Sequence, residues 1–236
     1  MAKLRLDKIL ADTGRWSRSE ARVLIRAGRV AVSGAPVCRP EEKADPERDA
    51  VCVDGAPLRW QRRVCLMLDK PAGVLSATED RTQQTVLDLL PPQYRRMGLF
   101  PVGRLDRDTT GLLLLTDDGD LTHEILSPKK HVPKRYRAEV AAPLSEQDAA
   151  AFAAGLTLGD GTRCLPAGLE IEPGGKVCFV TVFEGKYHQV KRMLASRGCP
   201  VTALRRLRIG ALELDPALGA GGWRELDETE LKRVFE

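Results

Sequence analysis

The stretch from Gly103 to Asp120 constrains the fold more than any other part of the sequence. It begins as Gly-Arg-Leu-Asp-Arg-Asp-Thr-Thr-Gly and continues as the uninterrupted apolar run Leu112–Leu115. An apolar run of this kind, bounded by polar residues, is typical of a buried strand. The polar loop therefore places Asp106 beside a central strand, where functional groups often lie.

Aspartate also occurs in turns, where its side chain caps its own backbone. This alternative fits the aspartates of segment 117–120, which we expect to lie in a hairpin-like turn. It fits Asp106 less well, because Arg104 and Arg107 surround that carboxylate with positive charge.

Strand-like runs recur beyond residue 60, and helical segments interrupt them. The expected strands are 64–68, 112–115, 136–140, 168–172 and 177–183, and the expected helices are 85–90, 145–153, 187–197 and 227–235. Because strands outnumber crossover helices, the sequence predicts an α+β fold with a mixed, largely antiparallel sheet flanked by helices, and not a doubly wound one.

The first sixty residues follow a different pattern. Apolar residues spaced over 6–10 predict a short helix that ends at Gly14. Ser17–Glu20 matches a capping box, so a second helix begins there and ends at Gly28. Short strand-like runs follow at 29–32 and 50–53, and each leads into a Gly-Ala-Pro turn.

The second helix carries a stripe of arginines, formed by Arg18, Arg22 and Arg26. Residues 1–40 hold nine basic and three acidic residues, a net charge of +6, whereas the whole chain has a net charge of only +4. Glu20 is the only acidic residue between positions 13 and 40. Because a surface helix built for solubility usually mixes signs, this asymmetry indicates an electrostatic docking surface.

Several protein classes are excluded. The chain is 43% hydrophobic and 30% charged, a composition that can bury a core. No apolar run approaches the ~18 residues of a membrane span, and the first residues lack the apolar segment of a signal peptide. The six cysteines are scattered without metal-ligand spacing, so we expect buried thiols, a cytoplasmic location and no metal.

The N-terminal motifs resemble those of the S4 RNA-binding domain. The matching segments are Leu6–Leu10, Ser17–Arg22, Ile25–Val30 and Val32–Gly34. The resemblance implies a small S4 (αL-type) domain over residues 1–60 whose arginine helix lies against folded RNA. Arg59, Arg62 and Arg63 mark the expected linker to a second domain over residues 61–236.

The second domain resembles the pseudouridine synthases. The catalytic motif is matched by Gly103–Asp106 and Thr110–Leu113, and the companion motifs by Lys70–Pro71, Lys134–Tyr136 and Glu184–Met193. Segments 187–193 and 207–210 are most similar to the RsuA family. The resemblance implies a catalytic domain with a mixed sheet split into two halves and an active-site cleft across it.

The resemblance also implies the reaction. In a uridine of folded 16S ribosomal RNA, at position 516, the N1–C1′ bond breaks, uracil turns and a C5–C1′ bond forms, with no cofactor and no metal. Two alternatives stay open. A sister synthase would act on 23S ribosomal RNA, and a non-catalytic S4-type assembly factor would be expected to lack the catalytic residues, which are present.

The resemblance implies three catalytic residues. Asp106 is the ionised nucleophile or base, Lys191 is its cation, with Arg104 as an alternative, and Tyr136 stacks on the flipped-out uridine. Attack at C1′, attack at C6 and removal of the C2′ proton all need the same carboxylate. We expect His188 to be structural and Tyr187 to serve packing.

The expected RNA-binding residues are basic and cluster in three parts of the chain. They are Arg15, Arg18, Arg22, Arg26, Arg29, Arg104, Lys129, Lys130, Lys134, Arg135 and Arg192. Guanidinium and ammonium groups bind phosphates and release counterions. We therefore expect ribosomal RNA as the partner, free or in an assembling small subunit, with no membrane and a monomeric enzyme.

Overall fold

The chain forms two compact units. In a computed structural model that describes residues 3–61 and 63–236, one unit comprises the residues up to Val64 together with Leu90–Leu99, and the other comprises Cys65–Leu89 and Phe100–Glu236. Segment 90–99 thus groups with the first unit, although it follows the boundary expected at residue 60. Arg62, assigned to the linker, lies outside the described residues.

The first unit has three helices among its described residues and several short strands. The helices are α1 (Leu6–Asp12), α2 (Arg18–Arg26) and α3 (Pro92–Arg96). The strands are β1 (Leu4–Arg5), β2 (Val30–Val32), β3 (Ala35–Val37), β4 (Lys43–Ala44), β5 (Val51–Val53) and β6 (Ala56–Pro57). The capping box opens α2, because Glu20 N–H donates to Ser17 Oγ and Ser17 N–H donates to the Glu20 carboxylate.

The two Gly-Ala-Pro segments lie differently from the prediction. Ser33–Gly34 and Asp54–Gly55 form the turns, with a positive φ at all four residues, and the Ala-Pro pairs that follow belong to β3 and β6. Two consecutive residues of positive φ are the geometry that suits a two-residue hairpin. The turns therefore lie one residue earlier than the sequence suggests.

A buried aspartate organises the arginines of the first unit. The Asp7 side chain is fully buried, and its carboxylate accepts hydrogen bonds from Arg5 Nε at 3.0 Å and Arg22 Nε at 3.0 Å. Arg18 Nε lies 3.8 Å away. Chiefly through the Arg5 hydrogen bond, and against the effect of burial, these contacts lower the pKa of Asp7 to about 2.

The second unit holds one large sheet with helices packed on it. Its strands are β7 (Cys65–Lys70), β8 (Phe100–Pro101), β9 (Thr110–Thr116), β10 (Lys134–Val140), β11 (Gly168–Ile171), β12 (Val177–Val182), β13 (Val201–Ile209), β14 (Leu212–Glu213) and β15 (Trp223–Glu225). Its helices are α4 (Gly119–Leu126), α5 (Glu146–Ala154), α6 (Gln189–Ser196) and α7 (Glu228–Lys232), with 3-10 turns at Val86–Leu89 and Arg233–Phe235.

The sheet is mixed and largely antiparallel, which confirms the predicted fold class. Its strand order is β11-β12-β10-β13-β9-β7-β15, with β14 beside β13 and β8 beside β9. Among the described strands only β13 and β9 pair in parallel. Leu112–Leu115 are fully buried in β9, as the leucine run predicts.

Several elements differ from the sequence prediction. The aspartates of 117–120 lie at the start of α4, where Asp118 accepts from the backbone N–H of Asp120 and Leu121, rather than in a hairpin. The expected helix at 85–90 is a short 3-10 turn. Strand β13 was not predicted, because its arginines interrupt the apolar alternation that marks a strand.

Burial agrees with most of the compositional predictions. Cys65, Cys164, Cys178 and Cys199 are buried, as expected, whereas Cys52 is half-buried and Cys38 is exposed. None of the helices in residues 3–61 and 63–236 has the length and hydrophobicity that a bilayer crossing requires.

We expect Asp7→Asn to lower the free energy of unfolding by about 2 kcal/mol at pH 7. A carboxylate whose pKa is depressed in the folded state contributes stability above its unfolded value, 3.8, and loses it as pH falls to about 2. The difference between wild type and variant should therefore vanish between pH 4 and pH 2, as measured by urea unfolding.

The matched control is Asp12→Asn in the same helix. Asp12 pairs with Lys8 at 2.7 Å on the helix surface, so we expect a change of less than about 0.5 kcal/mol. A difference for Asp7→Asn that persists undiminished at pH 2 would contradict the role of its ionised form.

Candidate active site

Asp106 lies on the loop between β8 and β9, and two groups from one later segment face its carboxylate. Lys191 Nζ lies 2.9 Å from Oδ2, and His188 Nε2 lies 3.3 Å from Oδ1. The Asp106 side chain is 25% exposed. The carboxylate is thus held by a cation and a ring nitrogen while one side stays open.

Lys191 connects two carboxylates of the loop. On α6, its ammonium also contacts Asp108 Oδ1 at 2.5 Å, which lowers the pKa of Asp108. Burial acts to lower the pKa of Lys191, but its hydrogen bonds to Asp108 and Asp106 outweigh that effect and raise it. Lys191 is therefore a cation beside Asp106, and Arg104 is exposed without an ion pair among the described residues.

His188 is a neighbour of Asp106 that the sequence prediction missed. It precedes α6 in a left-handed backbone conformation, with φ of +48°. Such a conformation is uncommon outside glycine and is often found at functional sites. The Tyr-His-Gln segment of the matched motif was the available signal, but without the fold no carboxylate partner for His188 could be assigned.

A buried lysine fastens the loop that carries Asp106. Lys70, at the end of β7, is fully buried, and its Nζ donates to the carbonyls of Pro71 at 3.0 Å, Arg107 at 3.3 Å and Thr109 at 3.0 Å. Burial lowers the pKa of Lys70 to about 8. Lys70 of the Lys-Pro motif thus fixes the backbone of the loop that follows Asp106.

Ser76 and Gly73 also hold the same loop by hydrogen bonds. Ser76 Oγ donates to the Leu105 carbonyl at 2.9 Å and accepts from the Leu105 N–H at 3.1 Å. Gly73 N–H donates to the Arg107 carbonyl at 2.8 Å, and Arg107 Nε donates to the Gly73 carbonyl at 3.2 Å. Hydrogen bonds therefore fix Leu105 and Arg107, the residues on either side of Asp106.

The sheet register places one residue from each of three matched motifs, together with Arg206, in one row across neighbouring strands. Tyr136 on β10 lies opposite Arg206 on β13, Arg206 lies opposite Gly111 on β9, and Gly111 lies opposite Lys70 on β7. We call these four residues the motif row. A Cβ added at Gly111, where φ is +99°, would collide with the Arg206 backbone, so glycine is required there.

Tyr136 is half-buried beside a buried arginine. Arg206 Nη1 lies 3.5 Å from Tyr136 Oη, and the guanidinium carbon lies 6.0 Å from the ring centroid. Arg206 Nε donates to the Leu112 carbonyl at 2.7 Å. The ring that resembles the family's active-site aromatic is thus fixed from within the sheet.

Lys134 differs from its expected position. It is buried, and its Nζ donates to the Ile125 carbonyl at 3.3 Å. Burial, with the positive charge of Arg206 as a further cause, lowers its pKa to about 8. A lysine in this position contacts the protein interior rather than an RNA backbone.

The other expected RNA-binding residues fall into two groups. Several have anionic or aromatic contacts: Arg18 and Arg22 with Asp7, Arg29 with Asp54, Arg135 with Glu170 and Phe179, Arg192 with Asp160, and Arg15 with Trp16. Arg26, Arg104, Lys129 and Lys130 are exposed and have no ion pair within residues 3–61 and 63–236.

The first unit thus has a helix pair on a small sheet, and the second has a mixed sheet beside which one carboxylate lies against a lysine. The model of the RNA pseudouridylate synthase family matches residues 64–196, and that of the S4 domain matches residues 4–49. The chain therefore belongs to the RNA pseudouridylate synthase family and is an isomerase that acts on RNA.

Relatives match along nearly the whole chain. The "Uncharacterized RNA pseudouridine synthase YtzG" of Bacillus subtilis is 47% identical over 99% of both proteins. The "Ribosomal small subunit pseudouridine synthase A" of Escherichia coli K12 is 41% identical over 98% of this chain and 100% of that protein. A crystal structure of a pseudouridylate synthase is 38% identical and superposes with a TM-score of 0.68 over 98% of this chain and 99% of the other.

We expect Lys70→Met to lower the single-turnover rate at saturating RNA by about ten- to a hundredfold. Three carbonyls would lose their donor, and the loop that places Asp106 would relax. RNA affinity should change by less than about twofold, because Lys70 is buried. Lys176→Met, which replaces an exposed lysine, should keep the wild-type rate. A wild-type rate for Lys70→Met would contradict the positioning role.

Proposed function

We propose that this enzyme converts one uridine of 16S ribosomal RNA, corresponding to position 516, to pseudouridine, with Asp106 as the essential carboxylate. The observation that carries the proposal is the Asp106 carboxylate itself, open on one side and held 2.9 Å from Lys191 Nζ. The choice of small-subunit RNA rests on relatives named for that subunit, which are 41–42% identical along their whole length.

The carboxylate chemistry follows from this environment. Asp106 acts as nucleophile or base through its carboxylate. Lys191 is the cation in contact with that carboxylate, at 2.9 Å. Attack at C1′, attack at C6 and removal of the C2′ proton all use a carboxylate beside a flipped-out uridine, and each leads to the same exchange of the N1–C1′ bond for a C5–C1′ bond.

Tyr136 is the proposed aromatic partner of the extruded base. A base inside folded RNA must leave its stack before it can react. An aromatic ring compensates for the lost stacking by ~1–3 kcal/mol. The contact of Arg206 with the Tyr136 hydroxyl fixes the ring from the sheet side, so the ring needs little further ordering when the base arrives.

The N-terminal domain, which we place at residues 1–60 ahead of a catalytic domain at 61–236, supplies affinity for folded RNA. Arg15 and Arg26 are exposed arginines of this domain without an ion pair among the described residues, and Arg15 lies over the Trp16 ring at 4.6 Å. In the catalytic domain, Arg104, Lys129 and Lys130 are exposed cations for phosphates. The proposed enzyme works as a cytoplasmic monomer on the RNA of an assembling small subunit.

We expect wild-type protein to restore pseudouridine in 16S ribosomal RNA purified from cells that lack it, and Asp106→Asn to form none detectable. Asparagine keeps the shape of the side chain but removes the charge that the reaction needs. Pseudouridine is mapped by carbodiimide-blocked primer extension on both large ribosomal RNAs.

Asp120→Asn is the matched control, because Asp120 is an exposed aspartate of the same unit, and it should behave as wild type. A signal restored in 23S RNA would replace the proposed substrate by the large-subunit one. Equal activity of Asp106→Asn and wild type would refute the role of the carboxylate.

We expect the double variant Arg15→Gln/Arg26→Gln to bind ribosomal RNA more weakly and with a flatter salt dependence. Each lost phosphate contact lowers the slope of log affinity against log salt by about 0.7–0.9. Arg18 and Arg22 are avoided, because their loss would also remove partners of buried Asp7. Filter binding between 50 and 200 mM salt measures the slope.

The matched control is Arg39→Gln/Arg48→Gln, which removes two exposed arginines of the same unit outside the predicted stripe. It should keep the wild-type slope within experimental error. Equal slopes for both double variants would contradict a specific role for Arg15 and Arg26 in docking.

A further inference from the structure

Tyr187 is exposed in a way that packing does not explain. Its relative exposure is 76%, the highest among the large hydrophobic side chains that the structure describes as exposed. A tyrosine that serves the core buries most of its ring and pairs its hydroxyl. The structure therefore does not support the packing role that we expected for Tyr187.

The Tyr187 ring is stacked on the ring of His188. The two centroids are 3.8 Å apart, and the planes differ by 19°. One face of the phenol ring is thus covered by imidazole, while the high exposure of Tyr187 leaves the other face to solvent. Two rings stacked in this way present a flat aromatic surface.

The same pair adjoins the reacting group. His188 Nε2 lies 3.3 Å from Asp106 Oδ1, so a single imidazole ring separates the Asp106 carboxylate from the Tyr187 ring. A nucleic acid that brings a uridine to Asp106 must therefore pass its neighbouring nucleotides close to this surface.

The segment that carries the pair is held rigidly. Buried Gln189 accepts from the Lys186 N–H at 3.0 Å and donates to Glu184 at 2.8 Å. Arg192 donates to the Tyr187 carbonyl at 3.4 Å and pairs with Asp160 at 2.5 Å. The ring is therefore presented by an ordered backbone, which lowers the entropic cost of binding.

We propose that Tyr187 and His188 form a stacking platform for an unpaired base next to the target uridine. The inference rests on the proposed modification of ribosomal RNA and assigns a second base-binding site beside the one at Tyr136. Extrusion of the target uridine leaves its neighbour without a stacking partner on one side. The exposed tyrosine face replaces that partner and tolerates any base, since every base has a π-face.

The platform is tested by combining substitutions of Tyr187 with removal of a base from the RNA. The RNA is a fragment around the uridine that wild type modifies, either intact or with an abasic residue at one neighbouring position. Single-turnover rates are measured against enzyme concentration for wild type, Tyr187→Phe and Tyr187→Ala. The half-saturating concentration then reports binding, and the plateau rate reports chemistry.

On intact RNA we expect Tyr187→Ala to raise the half-saturating concentration about tenfold, with the plateau rate changed less than about twofold. Tyr187→Phe keeps the ring and should resemble wild type. With RNA that is abasic at the stacked position, Tyr187→Ala and wild type should become equal. Phe235→Ala removes another exposed aromatic ring of the same unit and should have no effect.

Two results would overturn the platform. One is wild-type behaviour of Tyr187→Ala on intact RNA, and the other is a fall in plateau rate alone, which would mean that Tyr187 acts through His188 on Asp106. The substrate assignment is judged separately, from which ribosomal RNA wild type modifies. If that RNA is 23S, the fragment is taken from the 23S site and the same combination of substitutions and base removal still decides on the platform.

Discussion

The buried ammonium of Lys70 is the interaction on which the site depends. It lies at the end of β7, between β9 and β15 in the sheet, and donates to three carbonyls, two of them in the loop that follows Asp106. An ammonium in the interior carries a desolvation penalty, visible in its lowered pKa of about 8. Three well-placed acceptors offset that penalty, and in return the loop has one fixed position relative to the sheet.

Charge in this protein is divided between holding the structure and facing the solvent. Asp7 gathers arginines in the first unit, and Lys191 joins Asp106 to Asp108 in the second. These pairs order long side chains that would otherwise be mobile. Exposed cations without an ion pair among the described residues, such as Arg26, Arg104, Lys129 and Lys130, are the ones that the proposed function leaves for phosphate. On that proposal, the RNA contacts are fewer than the number of basic residues in the sequence.

The proposed active site is assembled from distant segments by the strand register. The motif row brings Tyr136 and Lys70 into line through β13 and β9, and the close approach at Gly111 permits the parallel pairing between those two strands. The segment before α6 then adds His188 and Lys191 to Asp106 from one direction.

The sequence by itself determined the α+β class, the small N-terminal helix pair and the buried leucine strand, because each depends on local spacing. For the cation beside Asp106 it left Lys191 and Arg104 open, and the structure shows Lys191 in contact. Only the tertiary structure decided which basic residues are buried, as Lys134 is, and which polar residue faces Asp106, as His188 does. The identity of a lysine or histidine in the sequence does not indicate whether its side chain is exposed to solvent or buried against the sheet. Its role is fixed by contacts with residues far away in the chain, and those contacts depend on strand order and register.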